Sequence, residues 1–250
     1  MSKLMRWLAG GVVAIAGLGA VGVGVTTWQF ANYAPKDTPQ APDPGALAYF
    51  VDDYQGARKA FLAQGEALAT QYRGVERFEV PIVSSKAERD QFVDGLYIPA
   101  QSAPKRLLLV TSGVHGVEGP TGSAVQRMFM KEFLKPEALA ETGVLLVHAV
   151  NPWGFSNYRR VTENNVDLNR NAATTGALYR TVNAGYPTVS PVINPAGPAN
   201  TGALGNVLFP LRAVGLIAQH GMPTLRQAVL QGQDQEPQGI YFGGEGKGAA

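Results

Sequence analysis

Two unbroken apolar runs of strand length, Leu107-Leu108-Leu109-Val110 within residues 106–111 and Val144 to Val150, flank a segment from Thr121 to Leu134 that reads as a helix. This strand, helix, strand order constrains the fold more than any other feature of the chain. Runs without polar alternation belong to strands covered on both faces, and a helical crossover between two such strands makes them parallel. Phe78 to Val83 and Phe92 to Ile98 read as further strands, and apolar residues recur at helical spacing from Ala46 to Tyr72, as a helix or a helical pair. The expected fold class is α/β, with a mostly parallel or mixed sheet and helices on both faces. Open sheets of this kind place ligands at the carboxyl ends of their strands, so the segments just after residues 111 and 150 are the places to look for chemistry.

Of the 250 residues, 45% are apolar, enough for one good-sized core. Lys and Arg number 21 against 19 Asp and Glu, with no long basic run, so nucleic acid is not an expected partner. With no cysteine, disulfides, thiolate nucleophiles and cysteine-rich zinc sites are excluded, and any metal must be held by His, Asp or Glu. The histidines are His115, His148 and His220.

Lys3 and Arg6 precede an uncharged stretch from Trp7 to Phe30 whose apolar part, Leu8 to Val25, approaches the ~20 residues that span a bilayer as a helix. Residues 1–30 are therefore expected to form a single N-terminal membrane anchor, with Trp7 and Trp28 at the interfaces. Basic residues before the span favour a cytoplasmic N-terminus, which puts the rest on the periplasmic or extracellular side of a bacterial inner membrane. The alternative is a cleaved signal segment and a secreted domain, for which Val23-Gly24-Val25 and Ala31-Asn32-Tyr33-Ala34 are weak cleavage sites. Residues 31–45, with Pro35, Pro39, Pro42 and Pro44, read as a stiff tether, and 46–250 as the folded domain. Within it, Ala177 to Val182 is expected to form a short helix and Tyr186 to Pro198 a Pro-rich loop. Leu208 to Gln231 is expected as two short helices broken at Gly221-Met222-Pro223.

The chemistry concentrates in two places. Ser112-Gly113-Val114-His115-Gly116-Val117-Glu118-Gly119 comes directly after the first apolar strand. An imidazole and a carboxylate three residues apart on a tight Gly-flanked turn can both reach one divalent ion. After the second strand come Asn151-Pro152-Trp153-Gly154, the doubled Arg159-Arg160, and Asp167-Leu168-Asn169-Arg170-Asn171. Guanidinium groups bind carboxylates through paired planar hydrogen bonds, as a site that reads a terminal carboxylate requires.

In order and spacing these motifs resemble the zinc carboxypeptidase superfamily, closest to its bacterial, poorly characterised carboxypeptidase-like branch. The match spans about residues 46–244, including Gly232-Gln233 and Gly239-Ile240-Tyr241-Phe242-Gly243-Gly244. The resemblance implies Zn2+ as cofactor, with His115 and Glu118 as its first two ligands. It implies that Asn169 and Arg170 bind the terminal carboxylate of a peptide or N-acyl amino acid substrate. It also implies that Arg160 polarises the scissile carbonyl, with Arg159 as the fallback because the doubled arginine leaves the register open. Family members also supply a later histidine, within Asp-x-His-Ser or Asp-x-His-Thr, and a catalytic glutamate. Neither pattern occurs here, and the chain stops at Gly248-Ala249-Ala250 where strands are still expected. His148 is expected as a hydrogen-bonded core residue and His220 as a capping or solvent-facing one. The expectation is an anchored metallocarboxypeptidase-like hydrolase, C-terminally incomplete and weak or inactive. The alternatives are an amidohydrolase of the desuccinylase and aspartoacylase kind, or an anchored protein that binds carboxylates without turnover.

Overall fold

A computed structural model of the protein describes residues 17–29, 31–33, 41, 43–83, 86, 90–172, 182–198 and 201–245. Two compact units emerge, one from residues 41–183 with 232–250, the other from 184–231 with 1–40. The expected N-terminal span falls on helix α1, residues 17–29, while residues 8–16 and most of the Pro-rich tether lie outside the described residues. Among the described residues no helix is long and apolar enough to cross a membrane.

The larger unit opens with α2 (Pro44–Leu47), so Pro44 starts a helix instead of ending a tether. Pro is favoured at this position because a first-turn N–H needs no partner. Helix α3 (Tyr54–Gln71) is capped by Asp53, whose side chain accepts from the Gly56 N–H at 2.8 Å. Its residues Tyr54, Ala57, Phe61, Gly65 and Leu68 recur at three and four positions and bury one face. Strands β1 (Glu76–Ile82), β2 (Gln91–Ile98), β3 (Arg106–Thr111) and β4 (Thr142–His148) form one sheet in the order β1-β2-β4-β3. The two apolar runs pair in parallel as expected, whereas β2 pairs antiparallel with both β1 and β4, so the sheet is mixed. Helix α4 (Gly119–Met128) and a π-turn after it supply the crossover between β3 and β4, and the short α5 (Pro152–Ser156) comes soon after β4.

Alternation along the strands sends Leu96, Ile98, Val144 and Leu146 to one face, where they pack with Phe61, Leu68, Met130 and Leu134. The bidentate pair of Arg58 with Asp94 fixes α3 over β2, Nε to Oδ2 at 2.7 Å and Nη2 to Oδ1 at 2.8 Å. Asp94 is fully buried and the guanidinium also covers the Phe92 ring. His148 is in the core as expected. Its ring stacks on Phe61 at 4.7 Å, Nε2 lies 3.0 Å from the Ser123 hydroxyl, and burial lowers its pKa to about 4.

The expectation of helices on both faces is not met among the described residues of this unit. Leu107 and Leu109, on the face away from Phe61, are 60% and 56% exposed, and Phe78 and Val80 are exposed on β1. Edge position explains the difference for β3: an apolar run records what a strand is able to bury, not what covers it.

In the smaller unit α6 (Tyr186–Ile193), α7 (Ala203–His220) and α8 (Met222–Leu230) enclose a core of Tyr186, Val189, Leu225 and Ala228. Here α6 corrects the expected Pro-rich loop over 186–198: Pro187 occupies the first turn, and Pro191 is accommodated inside a two-turn helix. The expected break between the last two helices is present at Gly221, whose φ of 78° ends α7 before Pro223 starts α8. The short helix expected from Ala177 falls outside the described residues except for Val182.

Arg58→Met leaves Asp94 buried without its cation and is expected to lower unfolding stability by about 3–5 kcal/mol in denaturant titrations. Since His148 is held near 4 instead of its ordinary 6.5, the unfolded chain takes up that proton first as pH falls. Stability is therefore expected to fall from about pH 6.5 to 4 and to level off below, by an amount on the order of 3 kcal/mol. Urea titrations at pH 7, 5.5 and 4.5 should give a shallower pH slope for His148→Gln than for the unaltered chain; identical slopes would remove His148 as the cause.

Candidate metal centre and carboxylate site

The carboxyl ends of parallel strands β3 and β4 lie side by side, and their pairing continues past both strands through Val150 N–H to Ser112 O and Asn151 N–H to Gly113 O, each 2.9 Å. Gly113 adopts φ 64°, which turns the chain away from the sheet. It delivers His115 to the start of a 3-10 turn, Gly116–Glu118, that runs into α4. From β4, Asn151 caps α5 by accepting from Gly154 N–H at 2.8 Å. The loop after α5 then folds back, with Arg160 O accepting from Gly116 N–H and Arg159 O from Val117 N–H at 3.4 and 3.0 Å. Both motifs are thereby pinned to one edge of the sheet.

Asp167 is the centre of this arrangement and is fully buried. Its Oδ1 lies 3.3 Å from His115 Nε2 and accepts from Asn169 N–H at 3.0 Å, while Oδ2 accepts from Arg160 Nε at 3.1 Å. An ionised carboxylate only accepts, so each ring nitrogen of His115 faces an acceptor: Nε2 faces Asp167, and Nδ1 lies 3.2 Å from Glu118 Oε1. A proton or a cation between Nδ1 and Oε1 satisfies both atoms. His115 is buried and the Glu118 side chain is 65% exposed, so the pair opens to solvent on the carboxylate side.

This donor set fits zinc. Two tetrahedral N and O ligands at about 2.0–2.1 Å sit about 3.3 Å apart, and a ligating histidine characteristically gives its other N–H to a carboxylate. Among the described residues no group of three or more His, Asp and Glu side chains is arranged to hold a metal ion. His220 lies exposed at the end of α7.

The arginines separate clearly. Arg160 is half-buried and paired with Asp167, whereas the Arg159 side chain is exposed and only its backbone carbonyl joins the site. Arg160 and Arg170 each place the guanidinium 5.7 Å from the Tyr241 ring centroid. Arg170 Nη1 donates to Asn169 O at 3.0 Å, and its Nε is a buried donor with no hydrogen-bond partner among the described residues. The Asn169 side chain is exposed.

Tyr241 and Asp167 are the two members that residue spacing alone left without a role. Tyr241 arrives on a returning segment in which Asp167 N–H donates to Phe242 O at 2.8 Å and Gln233 pairs with Phe242. Gly243 N–H donates to Gln233 O at 2.9 Å in the same segment, and burial pushes the adjacent Asp234 carboxyl up. The aromatic within Gly-Ile-Tyr-Phe-Gly-Gly was the available signal; its partners lie about 70 residues earlier, beyond local pattern reading.

A family model described as a protein of unknown function (DUF2817) matches residues 50–250. The chain belongs to that family. The matched span contains every residue of this site. No curated protein matches the chain.

Gly116 is buried against the backbone of Gly154 and Phe155, and a methyl group there would overlap those atoms, not a movable side chain. Gly116→Ala is expected to cost about 3 kcal/mol in denaturant unfolding, because α5 must shift to admit it.

Proposed function

We propose that this protein is a zinc-dependent, carboxypeptidase-like hydrolase that cleaves a peptide or amide bond next to a free carboxylate. One observation carries the reading: His115 Nδ1 and Glu118 Oε1 face each other at 3.2 Å while Asp167 holds the opposite nitrogen of the same ring. Together with the resemblance of the motifs to zinc carboxypeptidases, that arrangement favours a cation between them. Bound there, zinc would supply a water acidified to near neutral pH and a Lewis acid for the substrate carbonyl.

The chain's own residues divide the remaining work. Asp167 fixes the ring orientation and tautomer of His115 and, through its second oxygen, aims Arg160. In this reading Arg160 donates to the oxygen of the carbonyl under attack, where charge develops. Arg170 offers its guanidinium to the substrate carboxylate, with Asn169 beside it and the Tyr241 ring near both cations. A two-ligand protein site holds zinc less tightly than the three-ligand sites of most zinc hydrolases, so turnover is expected to be slow.

Zinc titration of the full chain is expected to saturate near one equivalent, His115→Ala to abolish that binding, and Asp167→Asn to weaken it about 10–100-fold. Release of free amino acid from N-acyl amino acids and short peptides should require zinc and fall with Arg160→Ala. Arg170→Lys should raise KM more than it lowers kcat, since lysine offers no planar pair of donors. Zinc-independent binding of N-acyl amino acids, without hydrolysis and abolished by Arg170→Ala, would replace this reading with a carboxylate-binding one. Absence of both zinc binding and carboxylate binding would end it.

A further inference from the structure

Helix α7 carries apolar side chains on every side and buries none of its residues. A helix of that character has no place in water unless something covers it. One side, with Leu216 and Ile217, packs on the core of α6 and α8. The other bears Leu204, Val207, Leu211, Val214 and Ala218, which recur at three and four positions and so form one line. Along it Leu204, Leu211 and Val214 are 49%, 48% and 59% exposed.

Charge indicates what covers this line. Among the described residues of the smaller unit the Lys, Arg, Asp and Glu side chains are two arginines, Arg212 and Arg226. From Leu168 to Gln233 there is no acidic residue at all. The same unit contains α1, an uncharged helix whose Leu18, Val21 and Val25 are exposed. A second copy seated face to face would meet this surface with its own like charge. An apolar line in a segment that carries Arg212 and Arg226 and no acidic residue is instead complementary to the headgroup and acyl boundary of an anionic bilayer.

We propose that residues 184–231 form a membrane-surface module: α7 lies in the interface of an anionic bilayer, with the 204–218 line toward the acyl chains and Arg212 and Arg226 toward lipid phosphates. This contact is separate from the expected N-terminal anchor and does not depend on the hydrolase reading. Arginine suits the position because its aliphatic stem lies along apolar surface while the guanidinium stays at the phosphates.

Because the natural chain has no cysteine, one introduced thiol reports one place. Val214→Cys and, in the other unit, exposed Lys105→Cys are labelled with an environment-sensitive fluorophore on the full chain. Each is mixed with phosphatidylcholine vesicles, with or without phosphatidylglycerol, carrying a quencher on the acyl chains. The Val214 label is expected to shift to the blue and to be quenched several-fold more strongly in the anionic vesicles, while the Lys105 label stays in water. Arg212→Gln with Arg226→Gln should erase the difference between the two vesicle types. A Val214 label equally open to aqueous iodide with and without vesicles overturns the proposal. So does equal quenching of both labels, which is adsorption without a defined face, and so does a lipid-independent blue shift that grows with protein concentration, which assigns the line to a second copy.

Discussion

The carboxylate of Asp167 organises everything chemical in this protein. It is removed from water, which is costly for an ion unless charged and polar donors replace the lost hydration. His115, Arg160 and the Asn169 amide provide that replacement, and in doing so they are drawn from three separate stretches of chain to one point. A residue at such a junction does more than stabilise. It orients the His115 ring, and so sets Nδ1 3.2 Å from Glu118.

The scaffold around it is a strand, turn and helix device used twice. After β3 the chain turns at Gly113 and enters α4; after β4 it turns at Asn151 and enters α5. Because the two strands are parallel neighbours, both turns emerge on the same edge, and backbone bonds between them fix their separation to a fraction of an ångström. The core beneath, with Phe61, Leu96 and Leu146, keeps that edge level.

Much of this was legible in residue order. The four strands, the helical crossover and the His-x-x-Glu turn were readable because each is encoded within a dozen residues, by periodicity, a cap or a glycine. A mostly parallel or mixed sheet was expected, but which strands run antiparallel was not legible, since an apolar strand looks the same whichever way its neighbour runs. Nor was helix α6, whose prolines imitate a loop until their positions within the helix are known. In the site, His115 and Glu118 were singled out by spacing and Arg160 by resemblance, with Arg159 as its fallback; of the two arginines, the Arg160 side chain is the one that reaches Asp167. The role of Tyr241 depended on contacts across most of the domain, for which sequence carries no local mark.

Finally, Asn183 donates through its side chain to Gly232 O at 2.6 Å, and its backbone N–H donates to Gln235 at 3.2 Å. The chain thus leaves the larger unit and rejoins it at nearly the same point, with the helical segment between as a closed excursion. Such a cassette is free to be exchanged, lengthened or lost over evolutionary time while the strands keep their register. Relatives would then be expected to differ most in what lies between these two positions.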